Sequence, residues 1–217
     1  YRPDEGTLQI DDLTIDGDLV VSVSVAPGGE EAVFENLPAG DKVVEIWLSQ
    51  EIPVSLTALE GDAPCHPVAD DRPRWVTYGS SLTHCVRAHS PARTWPALVA
   101  RRRGLHLTSL GFGGQCHLDA MVGTVVGDLP ADYITLKLGI NTIGGSLSAR
   151  TYPAAVVGLV HIIRQQHPDT PMALVSPIGY PPHETEPSPV GYTISGQRRD
   201  MEDVFRRLQS LGDTNLI

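Results

Sequence analysis

The stretch Val76-Thr77-Tyr78-Gly79-Ser80-Ser81-Leu82-Thr83-His84 decides how this chain reads. A β-branched and aromatic run stops at Gly79, and two serines stand where a strand hands over to a helix. In an open α/β sheet, that handover at the carboxyl end of a parallel strand is where side chains meet ligands. Two similar breaks follow, Leu110-Gly111-Phe112-Gly113-Gly114-Gln115 and Leu136-Lys137-Leu138-Gly139-Ile140-Asn141. Any one of Ser81, Gly114 or Asn141 alone reads as a turn or cap residue. In order at three successive strand ends, they supply a nucleophilic hydroxyl and two oxyanion donors, the set that acyl transfer needs.

Working outward from this stretch, the pattern from Arg74 onward alternates strands and helices. Strands are expected at Trp75 to Tyr78, Leu105 to Leu110, Tyr133 to Leu138 and Met172 to Ser176, with helices at roughly 91–103, 118–127, 150–167 and 195–211. In the last helix Met201, Val204, Phe205, Leu208 and Leu211 follow helical spacing and predict one buried face. In the third, Val156, Val157, Val160 and Ile163 do the same, and His167-Pro168 ends the run. Such alternation predicts an α/β fold, a doubly wound parallel sheet covered on both faces.

Before Asp62 the pattern is all-β. Leu8 to Ile10 and Leu13 to Ile15 flank acidic residues read as a turn, and Asp16-Gly17-Asp18 is a tight-turn signal. Leu19 to Val25 alternates as a half-buried strand should, and Val43 to Leu48 and Val54 to Leu59 repeat the theme. Short strands at this spacing predict part of a β-sandwich or jelly roll. The expected organisation is therefore a partial β-sandwich over 1–62, a proline-rich linker over 63–73 and an α/β domain over 74–217. Tyr1 opens the sequence without a methionine, and Asn215-Leu216-Ile217 reads as the start of a strand, so the chain is expected to be a fragment of a longer protein.

Composition narrows the classes. The 217 residues carry a formal net charge of −10, a hydrophobic fraction of 41% and a charged fraction of 19%. That balance argues against a nucleic-acid partner. The one basic run, Arg101 to Arg103, closes an expected helix before Gly104, where it complements the helix dipole. No apolar stretch approaches the roughly 20 residues of a membrane span. Cys65, Cys85 and Cys116 are too scattered for a disulfide framework, which leans towards a reducing, cytoplasmic compartment. Each stands beside a histidine (Cys65-His66, His84-Cys85, Cys116-His117), but none of the usual metal-ligand spacings occurs. Neither a metal nor an organic cofactor is signalled.

The residues quoted above resemble the SGNH hydrolases, or GDSL-type esterases, which carry four sequence blocks on a flavodoxin-like three-layer α/β/α sheet. Gly79-Ser80-Ser81-Leu82-Thr83 is similar to the first block, with Ser81 matching the nucleophile. Gly111-Phe112-Gly113-Gly114-Gln115 is similar to the second, with Gly114 matching the oxyanion glycine. Gly139-Ile140-Asn141 is similar to the third, with Asn141 matching the oxyanion asparagine. The resemblance covers residues 74–217. It implies a serine esterase acting on a small acyl ester, with the preceding β-domain similar to an accessory sandwich and implying a carbohydrate-linked substrate. It equally accommodates acyl transfer to an alcohol, since both reactions use the same catalytic residues.

Departures from the pattern are specific. Ser80 stands where the name-giving block has Asp, and Thr142 where the third block often has Asp. The fourth block, Asp-x-x-His, which supplies the base, occurs nowhere in the sequence. It is expected just past residue 217, so the given polypeptide is expected to be inactive or very weak. His183 beside Glu184, and His84 beside the nucleophile, are the alternative bases. A function from another class, glycan or partner binding on a retired hydrolase fold, draws its support from the same missing block.

Overall fold

The computed structural model describes residues 7–217. These residues group into two compact units: residues through Arg72 with Cys85–His106, and Pro73–His84 with Leu107–Ile217. Cys85–His106, expected within the α/β domain, thus groups with the N-terminal residues.

The first unit holds a three-stranded antiparallel sheet of order β2-β1-β3, made of β1 (Gln9–Ile15), β2 (Asp18–Val25) and β3 (Val44–Trp47). The acidic turn expected between Leu8–Ile10 and Leu13–Ile15 does not exist. Asp11 and Asp12 lie buried inside the single strand β1. Their carboxylates tolerate burial because they are hydrogen-bonded. Asp11 Oδ1 accepts from the Ser49 N–H at 2.8 Å, and Asp12 accepts from the Ala92 N–H at 2.8 Å and from the Ser22 hydroxyl. Nor do residues 54–59 form the expected strand. Leu56 and Leu59 are 63% and 65% exposed, and without a neighbouring ladder an alternating pattern has nothing to pair with. Among the described residues the sheet has no second β layer, where the alternation predicts a sandwich. Helix α2 (Trp95–Arg103) belongs to this unit, started by the Thr94 hydroxyl accepting from the Ala97 N–H at 3.3 Å. Arg101 does more than complement a dipole: its guanidinium donates to the Gly17 and Ala92 carbonyls at 3.0 and 3.2 Å.

The second unit is built on a four-stranded sheet of order β5-β4-β6-β7, from β4 (Arg74–Gly79), β5 (His106–Gly111), β6 (Tyr133–Lys137) and β7 (Met172–Val175). The β4–β6 and β6–β7 ladders are parallel. One core gathers Val76, Tyr78, Ile134, Leu136 and Met172 from the strands. Helices α3 (Ala120–Asp128), α4 (Tyr152–Arg164) and α5 (Ile194–Ser210) complete it with Val126, Val156, Leu159, Ile163, Met201 and Val204. Two residues depart from the expected helical faces. Val157 is 39% exposed, its place inside taken by Leu159, and Leu211 is 77% exposed because α5 ends at Ser210.

Chain order fixes where a ligand can bind. From β4 the chain moves to β5 on one side, then returns to β6 on the other. That reversal is a topological switch point, and open α/β sheets bind ligands outside the carboxyl ends of the strands at such a point. At the far edge, Asn215–Ile217 runs beside β7: Leu216 bridges Met172 in parallel, and the Leu174 N–H donates to the Ile217 carbonyl at 2.9 Å.

Candidate active site

All three residues singled out by sequence lie on the loops leaving β5, β4 and β6, the three adjacent strands around the switch point. Ser81 opens the short helix α1 (Ser81–His84) directly after β4, and it is exposed. As the first helical residue, its N–H has no intrahelical acceptor. Ser80 is buried, and its Oγ accepts from the Leu82 N–H at 3.3 Å, while its carbonyl accepts from the Thr83 and His84 N–H groups at 2.9 and 3.0 Å. The second serine of the pair is therefore the accessible one, and the first holds the turn.

The β5 loop is drawn against this turn. The Phe112 N–H donates to the Gly79 carbonyl at 2.8 Å. A Cβ on Gly111 would stand 2.3 Å from the His84 backbone nitrogen and 2.4 Å from its Cα. Glycine is thus required at 111 for α1 to pass this close. The loop then turns, with the Gln115 N–H donating to the Phe112 carbonyl at 3.1 Å and Gly114 at φ +71°. That left-handed third position is what a type II turn reserves for glycine. A Cβ at Gly114 would meet nothing within 4 Å, so backbone sign, not crowding, selects the residue and the space before it is open.

Asn141 follows β6. Its Oδ1 accepts from the Cys116 N–H at 3.0 Å, which orients the amide and leaves the two Nδ2 hydrogens without an acceptor among the described residues. The three loops are therefore tied in series: β4 to β5 through Gly79 and Phe112, β5 to β6 through Cys116 and Asn141. Chemically the arrangement offers an accessible hydroxyl and a set of N–H donors.

Neighbouring groups are accounted for. Cys116 is buried, and burial pushes its thiol up to about 11, so it is neutral and no competing nucleophile. The His117 ring lies against the second loop, Nε2 at 3.2 Å from the Gly114 carbonyl and Nδ1 at 2.7 Å from Ser146 Oγ. Glu184, expected to orient His183, instead pairs with Arg198 and accepts from the Tyr180 N–H at 3.2 Å. The bonded Arg198 guanidinium holds its carboxyl below the usual range. His84 sits at the end of α1, partly buried. Two features escape sequence reasoning: the His117 contact with Gly114 and a buried glutamine, Gln197, behind the Asn141 turn. Gln197 meets Thr142 across 55 residues, and His117 lies three residues from Gly114 but is fixed by Ser146, 29 residues away; no motif or spacing marks either. Among the described residues, no helix is long and apolar enough to cross a membrane.

Residues 72–217 match the GDSL-like lipase/acylhydrolase family. A solved salicylyl-acyltransferase from a tetracycline biosynthetic pathway is 33% identical, with a TM-score of 0.86, covering 99% of this chain and 63% of its own. A GDSL-like lipase from Bacteroides ovatus is 23% identical, with a TM-score of 0.72 over 95% of this chain and 62% of its own. A family two carbohydrate esterase from Clostridium thermocellum, in complex with cellohexaose, is 14% identical, with a TM-score of 0.70 over 97% of this chain and 74% of its own. The last two are similar in fold. This chain spans less than two thirds of the length of the first two structures. No curated protein sequence matches it.

Proposed function

The chain belongs to the GDSL-like lipase/acylhydrolase family, and from that premise we propose that it carries the nucleophile and oxyanion hole of a serine esterase for small acyl esters. In this reading the Ser81 hydroxyl attacks the ester carbonyl carbon and gives its proton to a base. The tetrahedral oxyanion accepts from the N–H groups of Ser81 and Gly114 and from Asn141 Nδ2. Collapse expels the alcohol, and water then releases the acyl group by the same steps. The observation that carries the reading is the Cys116 N–H to Asn141 Oδ1 bond, because it commits the amide oxygen and leaves a donor for negative charge.

The base would come from an Asp-x-x-His block, which the family resemblance implies and which residues 1–217 do not contain. Residues 1–217 without that segment are then slower by several orders of magnitude. The alcohol portion of the substrate is assigned to carbohydrate, resting on the resemblance of the N-terminal β unit to an accessory domain; release of acetate from acetylated oligosaccharides tests it.

p-Nitrophenyl acetate hydrolysis by the full parent protein, beside its Ser81→Ala variant, tests the nucleophile. Loss of several orders of magnitude in the variant supports Ser81, and equal rates in both reject it. A second reading, acyl transfer to an alcohol, is favoured by the 33% identical acyltransferase. Product analysis with added alcohol acceptors separates it from hydrolysis.

A further inference from the structure

Behind the Asn141 turn lies a buried polar cluster that acyl transfer leaves unused. Gln197, at the end of the first turn of α5, is 0% exposed. Its Nε2 donates to Thr142 Oγ1 at 2.8 Å, and Thr142 Oγ1 donates to the Gly139 carbonyl at 2.8 Å. The Thr142 N–H donates to the same carbonyl at 2.9 Å. Thr142 is itself fully buried. The turn that carries Asn141 is thus closed by Thr142 and hydrogen-bonded to α5 through the Gln197 side chain.

Gly139 makes room for this cluster. It sits at φ +113°, and a Cβ there would stand 3.1 Å from both Gln197 Oε1 and the Tyr152 hydroxyl, and 3.0 Å from Pro177. Neither Gln197 Oε1 nor the Tyr152 hydroxyl has a partner among the described residues. A buried primary amide costs free energy unless bonded, and an apolar side chain would fill the place at lower cost. Direction matters too. The one Thr142 hydroxyl hydrogen is committed to Gly139, so Thr142 can only accept from α5, and position 197 must donate.

We infer that Gln197 is a positioning residue for the oxyanion hole: through Thr142 it holds the 139–142 turn where Asn141 Oδ1 meets the Cys116 N–H and Nδ2 is aimed at the developing charge. The inference rests on the reading of Asn141 as an oxyanion donor. Loss of one donor outright costs roughly 10²–10³-fold in kcat. Loss of its support costs less, about tenfold or more, since small misplacements of a catalytic group are expensive.

The test uses the full parent protein and its Gln197→Met, Thr142→Val and Thr142→Ser variants, with Ser81→Ala and Asn141→Ala for reference. Thermal melts establish that each is folded, and Thr142→Val carries the test if Gln197→Met does not fold. The expected result is that kcat falls about tenfold or more in Gln197→Met and Thr142→Val with KM unchanged, because the interaction acts in the transition state. Thr142→Ser, which keeps the hydroxyl, recovers most of the loss. The double variant Gln197→Met/Thr142→Val is no worse than the worse single one, since both break one relay. A second readout is independent of activity. The asparagines of this sequence are Asn36, Asn141 and Asn215. With asparagine side-chain amides labelled with nitrogen-15, the Asn141 pair, identified by its loss in Asn141→Ala, shifts in Gln197→Met and Thr142→Val and stays in place in Thr142→Ser. An unmoved Asn141 pair in folded Gln197→Met overturns the inference, as does a loss confined to KM. Full hydrolysis by Ser81→Ala would instead reject the esterase reading, leaving the amide signal to decide the positioning on its own.

Discussion

At the scale of single residues, the site is shaped by atoms that are absent as much as by those present. Gly111 lets α1 pass against the β5 loop, and the atoms a Cβ would strike belong to the His84 main chain, which cannot rotate away. Gly111→Ala is therefore expected to destabilise by about 3 kcal/mol or more, the upper range of overpacking, read as a lowered urea midpoint. Tyr152 shows the opposite case. Its ring is wholly buried, burial pushes its phenol well above the ordinary range so that it stays protonated, and its hydroxyl has no partner among the described residues. Tyr152→Phe keeps the ring and deletes the unsatisfied group, so its melting temperature should equal or exceed that of the parent. That Ser81, Gly114 and Asn141 stand just past the ends of three strands was legible in sequence, because a strand run broken at glycine recurs three times in order. The contacts of Gln197 and His117 were not, because hydrogen bonds across 55 residues to Thr142 and across 29 to Ser146 leave no local pattern.

At the scale of elements, capping and burial explain the agreements and the departures together. Helix α5 begins where the Thr193 hydroxyl accepts from the Gly196 N–H at 3.0 Å, and Thr193→Ala should lower stability by about 1 kcal/mol in denaturant melts. In α4, Leu159 is 1% exposed, and Leu159→Ala should cost about 2–5 kcal/mol through the cavity it leaves. The strands and helices after Arg74 were predicted within a few residues, since periodicity is strong where one face is buried. The N-terminal strands were read less well. In β1, two consecutive aspartates imitate a turn, and partners elsewhere in the unit, Ser49, Ser22 and Ala92, together with Gln9 of the same strand, make their burial tolerable. Residues 54–59 show the converse, a strand pattern without a neighbour to pair with.

At the scale of the whole molecule, acid should remove the stability that ion-paired carboxylates contribute. Asp70 is bonded to Arg72 and His106, and the Arg72 guanidinium holds its carboxyl well below the usual range. A depressed folded pKa means the pair contributes stability above the unfolded value, about 3.9, and loses it as pH falls from there. Asp70→Asn should thus lower stability by about 1 kcal/mol near pH 7, since the pair is partly solvated, with the difference from the parent shrinking as pH drops below about 4. Melts over that range check it.

The sequence by itself determined the α/β class, the order of the elements after Arg74 and the three strand ends at which Ser81, Gly114 and Asn141 stand. Those follow from local chemistry: side-chain period, chain breaks at glycine, and donors placed at strand ends. Tertiary structure alone decided the rest. Sheet order put β4 between β5 and β6 and so brought Ser81, Gly114 and Asn141 to one switch point. The Cys116 N–H chose which end of the Asn141 amide is free, and Gln197 tied that turn to α5. Each of these is a contact between residues far apart in the chain, whose free energy exists only once the backbone has closed the distance.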